Sequence, residues 1–135
     1  MDHTARIRFV IRQLAGSLAV VRLDPGAPLP PWAWTGPLCA AVRTPNELSI
    51  VCDEGAVPGD TVSERGWVAF MLEGPLPFAL TGVLSSLLGP LAAAGVSVFC
   101  LSTFDTDYIL VKAGQAERTR AILLSLGHDV LPPAS

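Results

Sequence analysis

Apolar and polar positions along the chain change their period several times, and each change marks an element. Residues 7–11 and 18–23 are two short apolar runs joined through Ala15-Gly16-Ser17, a pattern that predicts a β-hairpin. A proline-rich segment, 24–34, carries Trp32 and Trp34; its prolines exclude a long helix and allow at most one helical turn after Pro30-Pro31. The two indoles are expected to plug one end of a small N-terminal core. Residues 38–42 and 47–52 read as two further strands around Arg43-Thr44-Pro45-Asn46, with Leu48, Ile50 and Cys52 alternating with more polar neighbours. Residues 53–66 are polar, with one proline and three glycines, and read as a linker between two subdomains, 1–62 and 63–135.

The second half is patterned more clearly. Residues 67–72 form a strand. Leu80, Val83, Leu84, Leu87, Leu88 and Leu91 then recur at helical spacing, predicting a helix over 80–94 closed by Gly95. Pro90 removes one backbone donor and is expected to bend its last turn. Strands follow at 96–101 and 108–112, then a helix over 115–126. In that helix Thr119, Ile122, Leu123 and Leu126 face inward, Glu117, Arg118 and Arg120 outward, and Gly127 terminates it. A short strand at 128–131 completes a β-α-β-β-α-β order, the ferredoxin-like split βαβ arrangement. The fold class is therefore α+β, with a helix-poor N-terminal module beside a regular C-terminal one.

Composition narrows the function. The chain has 135 residues, half of them apolar and 16% charged, with a net charge of −3. No Lys/Arg block is present, so nucleic acid is not an expected partner. From Gly74 to Phe104 there is no charged residue, which raises the question of a membrane span. Three prolines, four glycines and the switch to alternation after Gly95 favour a helix and a strand instead. Cys39, Cys52 and Cys100 are odd in number and lack C-x-x-C spacing, so they read as buried thiols in a reducing, cytoplasmic compartment. The N-terminus lacks a signal-peptide core.

Candidate chemistry concentrates in Ser102-Thr103-Phe104-Asp105-Thr106-Asp107, a polar turn between two apolar runs. No catalytic motif accompanies it, and His3 and His128 read as surface or strand-edge residues, so an enzyme is not expected. Asp105 and Asp107 form a D-x-D that could hold magnesium, yet no phosphate cradle or further ligand set stands beside it. An α-amino acid suits the residues better. Its carboxylate needs free N–H groups such as a helix start at Gly82 supplies, and its ammonium needs a carboxylate such as the turn offers. Gly82 could equally serve close helix–strand packing, and Asp107 could cap the turn through its own backbone.

Three segments closely resemble the ACT-domain proteins of the CASTOR-like group: Gly74-Pro75-Leu76-Pro77-Phe78-Ala79-Leu80-Thr81-Gly82-Val83-Leu84, Pro90 through Phe99, and Ser102 through Lys112. Upstream, Arg43-Thr44-Pro45-Asn46-Glu47-Leu48-Ser49-Ile50-Val51-Cys52 resembles the first ACT-like half of small bacterial proteins of that group. The resemblance covers residues from about 18 to about 130. It implies two ACT-like modules side by side, and a non-enzymatic sensor or regulator that binds an amino acid at a module or subunit interface; the eukaryotic relatives sense arginine. It places the ligand carboxylate on the backbone around Gly82, Val83 and Leu84, and the amine and side chain on Thr103, Phe104 and Asp107. It gives Asp105 no ligand role and calls for no metal or cofactor. Together with the apolar excess, it leads us to expect a cytoplasmic homodimer that binds neither nucleic acid nor membrane. The competing readings are a small metal-dependent enzyme using Asp105 and Asp107, and a ligand-free oligomerisation module.

Overall fold

A computed structural model describes residues 7–76 and 82–134. Its strands in the first half are β1 (Val10–Gln13), β2 (Leu18–Leu23), β3 (Ala40–Arg43), β4 (Leu48–Asp53) and β5 (Ser63–Leu72). The second half adds α1 (Val83–Ala93), β6 (Phe99–Ser102), β7 (Asp107–Lys112), α2 (Ala116–Ser125) and β8 (Asp129–Leu131). The chain divides into two compact units, Ala15–Val68 and Met1–Leu14 with Ala69–Ser135, so β5 supplies residues to both. The fold is α+β and ferredoxin-like.

In the unit Ala15–Val68 the strand order is β3-β4-β2-β5. Counted within the unit this is 2-3-1-4, the ferredoxin-like order, with each helix position reduced to a 3-10 turn, Pro31–Trp34 and Glu54–Ala56. The prolines explain the first reduction: they fix φ and remove N–H donors, so no longer helix can form there. The core joins Ala19, Val21, Leu48, Ile50 and Cys52 of the sheet to Ala33 and Val57 from the connecting segments. Trp32 packs against this core, but Trp34 is 57% exposed, so only one of the two indoles plugs it.

The segment read as a linker is built into the fold. The Arg65 guanidinium donates to the carbonyls of Glu54 (3.2 Å) and Pro58 (3.0 Å), and the Gly66 N–H donates to Glu54 Oε1 at 2.5 Å. β5 therefore starts at Ser63, four residues before the apolar run, because these bonds hold a polar stretch extended.

The other unit contains the β-α-β-β-α-β order from β5 to β8. Its core centres on Phe70, Leu72, Leu87, Leu91, Ile109, Leu110 and Leu123, all fully buried. β7 is apolar on both faces, with Ile109, Leu110 and Val111 all sequestered, as an inner strand requires. α1 buries Val83, Leu87 and Leu91 at i, i+4, i+8, and each such burial stabilises by about 1.5–3 kcal/mol. The expected beginning of this helix at Leu80 and Thr81, like His3, lies outside the described residues.

Both helices end as the glycines predict. Val96 N–H donates to Leu91 O and Gly95 N–H to Ala92 O, with Gly95 at φ 79°; His128 N–H to Leu123 O and Gly127 N–H to Leu124 O repeat the pattern. These are paired 6→1 and 5→2 bonds that satisfy the last carbonyls. In α2, Thr119 and Leu123 are buried, whereas Leu126 is 37% exposed. Arg120 does not point freely outward: it donates to Gln13 Oε1 at 2.5 Å and to Val130 O at 3.3 Å.

The predicted hairpin between residues 7–11 and 18–23 does not form. β1 pairs antiparallel with β5 and parallel with β8, so both its edges are taken and none is left for β2. It is inserted where β5 and β8 would pair in a plain ferredoxin-like sheet, giving the order β6-β7-β5-β1-β8. His128 holds it there. The Phe9 N–H donates to His128 Nδ1 at 3.0 Å, and Asp129 N–H donates to Phe9 O at 3.0 Å. His128 is thus a buried residue rather than a surface one, and burial lowers its pKa.

Candidate ligand site

A cavity of ≈ 330 Å³ opens where the start of α1 meets the β6–β7 turn. It is lined by Leu76, Gly82, Val83, Leu84 and the turn residues Ser102, Thr103, Phe104, Asp105, Thr106 and Asp107. All six residues singled out from the sequence (Gly82, Val83, Leu84, Thr103, Phe104 and Asp107) therefore line one space.

The helix side of this cavity is set by backbone conformation. Gly82 precedes α1 at φ 77°, ψ 5°, the left-handed region that a residue with a Cβ adopts only with strain. Its carbonyl accepts from the Ser86 N–H at 2.9 Å and from Ser85 Oγ at 3.1 Å, starting the helix at Val83. The first N–H groups of an α-helix have no partner within it, and they carry the positive end of its dipole. Here those groups belong to Val83 and Leu84, on the cavity wall.

The turn side is a tight loop. Thr103 N–H donates to Thr106 O at 2.8 Å, while Thr103 Oγ1 accepts from Thr106 N–H (3.2 Å) and donates to Thr106 O (3.1 Å). The Thr103 hydroxyl thus closes the turn itself. Thr106 is buried, and its hydroxyl donates to Leu72 O at 2.6 Å. A second tie runs from the Leu76 N–H to Asp105 O at 2.7 Å. Asp105 serves the turn through its backbone, and its side chain is exposed. Phe104 stands at the tip, 80% exposed.

Asp107 opens β7 directly across from Ser102, and Ser102 Oγ donates to its Oδ1 at 2.6 Å. It is a half-buried strand residue oriented by a cross-strand hydroxyl, and the turn is closed by Thr103 instead. Among the described lining residues the charged side chains are Asp105 and Asp107, so the cavity carries negative charge against a helix start. Cys100, two residues before the turn, has its thiol pKa raised, first by burial and then by the Asp107 carboxylate. The protonated thiol is therefore favoured at neutral pH. Among the described residues no group of three or more His, Cys, Asp or Glu side chains is placed to hold a metal ion.

Leu76 was missed as a lining residue, and Ser102, Asp105 and Thr106, although named in the polar turn, were given no ligand role. Ser102 adjoins Thr103, and its register against Asp107 brings it to the cavity. Leu76 carries no such signal, because its position depends on how the chain after β5 returns to the turn. Among the described residues no helix is long and apolar enough to cross a membrane.

A unit whose first helix start faces its central hairpin turn across a small cavity defines the class as a ferredoxin-like α+β domain. A family model described as an ACT domain matches residues 62–125, and a second model, of an N-terminal domain, matches residues 16–60. Residues 62–125 thus form an ACT domain, and the chain is similar to the ACT-domain proteins of the CASTOR-like group. It is similar to the human protein CASTOR3P, 32% identical over 82 residues that span 51% of this chain and 50% of the relative. The chain thus spans about half the length of that curated relative. Among solved structures it resembles protein Atu0741 from Agrobacterium tumefaciens, at 36% identity, 96% coverage of both chains and a TM-score of 0.89. The ligand-free regulatory subunit of aspartate kinase from Thermus thermophilus shares the fold at 9% identity, covering 84% of this chain and 93% of that one, with a TM-score of 0.56.

Proposed function

We propose that this protein is a non-enzymatic regulator that binds an amino acid in the cavity between the α1 start and the β6–β7 turn. The observation that carries this reading is the presence, on one cavity, of the helix-start N–H groups of Val83 and Leu84 and the Asp107 carboxylate. The first suits the ligand carboxylate and the second its ammonium, so the two ends match a zwitterion. Gly82 leaves the approach to the helix start open. Phe104 covers the ligand side chain, and Thr103 holds the turn in shape. A volume of ≈ 330 Å³ lies at the lower end of small-molecule sites. The ACT family and its structural kinship with a kinase regulatory subunit support a ligand-binding regulatory role in general.

The chain works as two ACT-like modules that divide near residues 62 and 63, with β1 carried in the C-terminal one, in a cytoplasmic homodimer. Among the described residues β6 pairs with β7, and Phe104 is exposed at the cavity mouth, so a second subunit has an apolar contact to use. A ligand completed by that subunit would favour one dimer arrangement through its differential affinity for it.

A thermal-shift screen of the twenty amino acids, with and without magnesium, tests the proposal. Because the described lining charges are carboxylates, a neutral or cationic amino acid is expected to raise the melting temperature without metal, and aspartate and glutamate are not. Stabilisation only in the presence of magnesium would favour the D-x-D reading instead, since Asp105 and Asp107 both line the cavity. No shift with any amino acid would leave the oligomerisation module as the better account.

A further inference from the structure

Away from the cavity, the strand register of the unit Ala15–Val68 carries two cysteines toward one another. The β3–β4 register pairs Ala41 with Ile50 and Ala40 with Val51, so the next step sets Cys39 against Cys52. The Thr44 N–H donates to Glu47 O at 2.9 Å across the connecting turn, which makes 44 and 47 a hydrogen-bonded pair. Antiparallel pairs alternate, so 42:49 and 40:51 are also of that kind, and 39:52 falls on a non-hydrogen-bonded position. At such positions the Cα atoms lie about 4.5 Å apart and the side chains project from one face at their closest approach. Disulfides take Cα separations of roughly 4.4–6.8 Å, so the position suits one.

Two observations place the sulfurs on that face. Cys52 is fully buried in the core with Leu48 and Ile50, its neighbours at i−4 and i−2. The Cys39 thiol donates to Thr35 O at 3.2 Å, at the end of the 3-10 turn whose Ala33 lies in the same core. The ladder ends one step earlier, at Ala40 and Val51, and the chain before Cys39 is held close to β4 by the Asp53 N–H, which donates to Thr35 O at 3.1 Å. Cys39 is partly accessible, whereas Cys52 is closed to solvent.

We infer that Cys39 and Cys52 form a reversible modification site, a dithiol that closes to an intramolecular disulfide by exchange with a low-molecular-weight disulfide such as oxidised glutathione. The accessible Cys39 thiolate attacks one glutathione sulfur, forming a mixed disulfide and releasing the first glutathione thiol. The Cys52 thiolate then attacks Cys39 Sγ, the Cys39–glutathione bond breaks, and the second glutathione leaves. The two protons given up by the cysteines end on the two released glutathione thiols, and the electrons balance. Closure ties the start of β3 to the end of β4 and removes the Cys39 hydrogen bond to Thr35 O. The second step is the slow one. Burial, then the neighbouring Cys39 and Asp53, push the Cys52 thiol up, with Arg65 opposing, so little thiolate is present at neutral pH.

The test incubates the reduced full-length protein in glutathione buffers of increasing oxidised fraction, followed by alkylation, intact mass and peptide mapping. A Cys39–Cys52 link is expected, with Cys100 still alkylated, and Cys100→Ser is expected to retain the link. Cys39→Ser should abolish it, and its far-ultraviolet circular dichroism reports that the variant is folded. The closure rate should rise roughly tenfold per pH unit while Cys52 is mostly protonated. Glutathione remaining on Cys39 with Cys52 open to alkylation, links running through Cys100, or three alkylated thiols in the most oxidising buffer would each overturn the inference.

Discussion

Gly74 stands where any side chain would strike the ligand-site turn. A Cβ there would lie 2.9 Å from the Asp105 carbonyl oxygen and 3.2 Å from the Thr106 Cβ, and the backbone oxygen has nowhere to yield because it is already bonded to the Leu76 N–H. Gly74→Ala should therefore lose about 1–3 kcal/mol by overpacking, read from denaturant melts, and weaken any ligand of the cavity. Gly82→Ala acts on the opposite wall through the positive φ and should cost about 1 kcal/mol. His128 gives a pH dependence. Burial lowers its folded pKa, so the unfolded chain binds more protons below its ordinary value of about 6.5. Its contribution is complete above that pH and is lost as pH falls through the lowered folded value. The melting temperature should drop on going from pH 7.5 to about pH 5, and His128→Gln, less stable at neutral pH, should show a flatter profile. No local signal points to this role: helix-end histidines are commonly solvated, and the position of β1 buries this one.

At the scale of elements, both helices and their glycine stops were legible because helical spacing and a left-handed terminator are local signals. Leu87, fully buried in the middle of α1, is the position where truncation should matter most: Leu87→Ala is expected to lose about 2–5 kcal/mol in equilibrium unfolding. Strands were recognisable as strands, since alternation is local too. Their partners were not. Residues 7–11 and 18–23 look like a hairpin by every local rule, yet β1 is claimed on both edges by β5 and β8 through pairings dozens of residues away. The same limit explains β5. Its first residues look like a polar linker, and the Glu54 and Arg65 hydrogen bonds that keep them extended depend on side chains brought from the other end of that segment.

For the whole molecule, the inserted β1 is the main departure from a plain ferredoxin-like unit. Removing residues 1–14 would leave β5 and β8 with unpaired edges, so the truncated chain should be less stable and should aggregate, as light scattering during a thermal ramp would show. The candidate site was more legible than this topology. Its residues cluster in two short segments, and the ferredoxin-like order alone places the first helix start and the central hairpin turn at the same end of the sheet. What the sequence could not show was how each turn residue is employed: Thr103 closes the loop, Asp105 receives Leu76 through its carbonyl, and Asp107 is aligned by Ser102. Under the proposed function, that division makes Asp107 the carboxylate on which amino-acid recognition would turn. Isothermal titration of the amino acid that stabilises the protein, against wild type, Asp107→Ala and Asp105→Ala, tests this most directly. A charge-assisted hydrogen bond of about 1.5–3 kcal/mol corresponds to a loss of roughly 10- to 100-fold in affinity for Asp107→Ala, with Asp105→Ala close to wild type. Unchanged affinity in Asp107→Ala, or a loss confined to Asp105→Ala, would contradict the account.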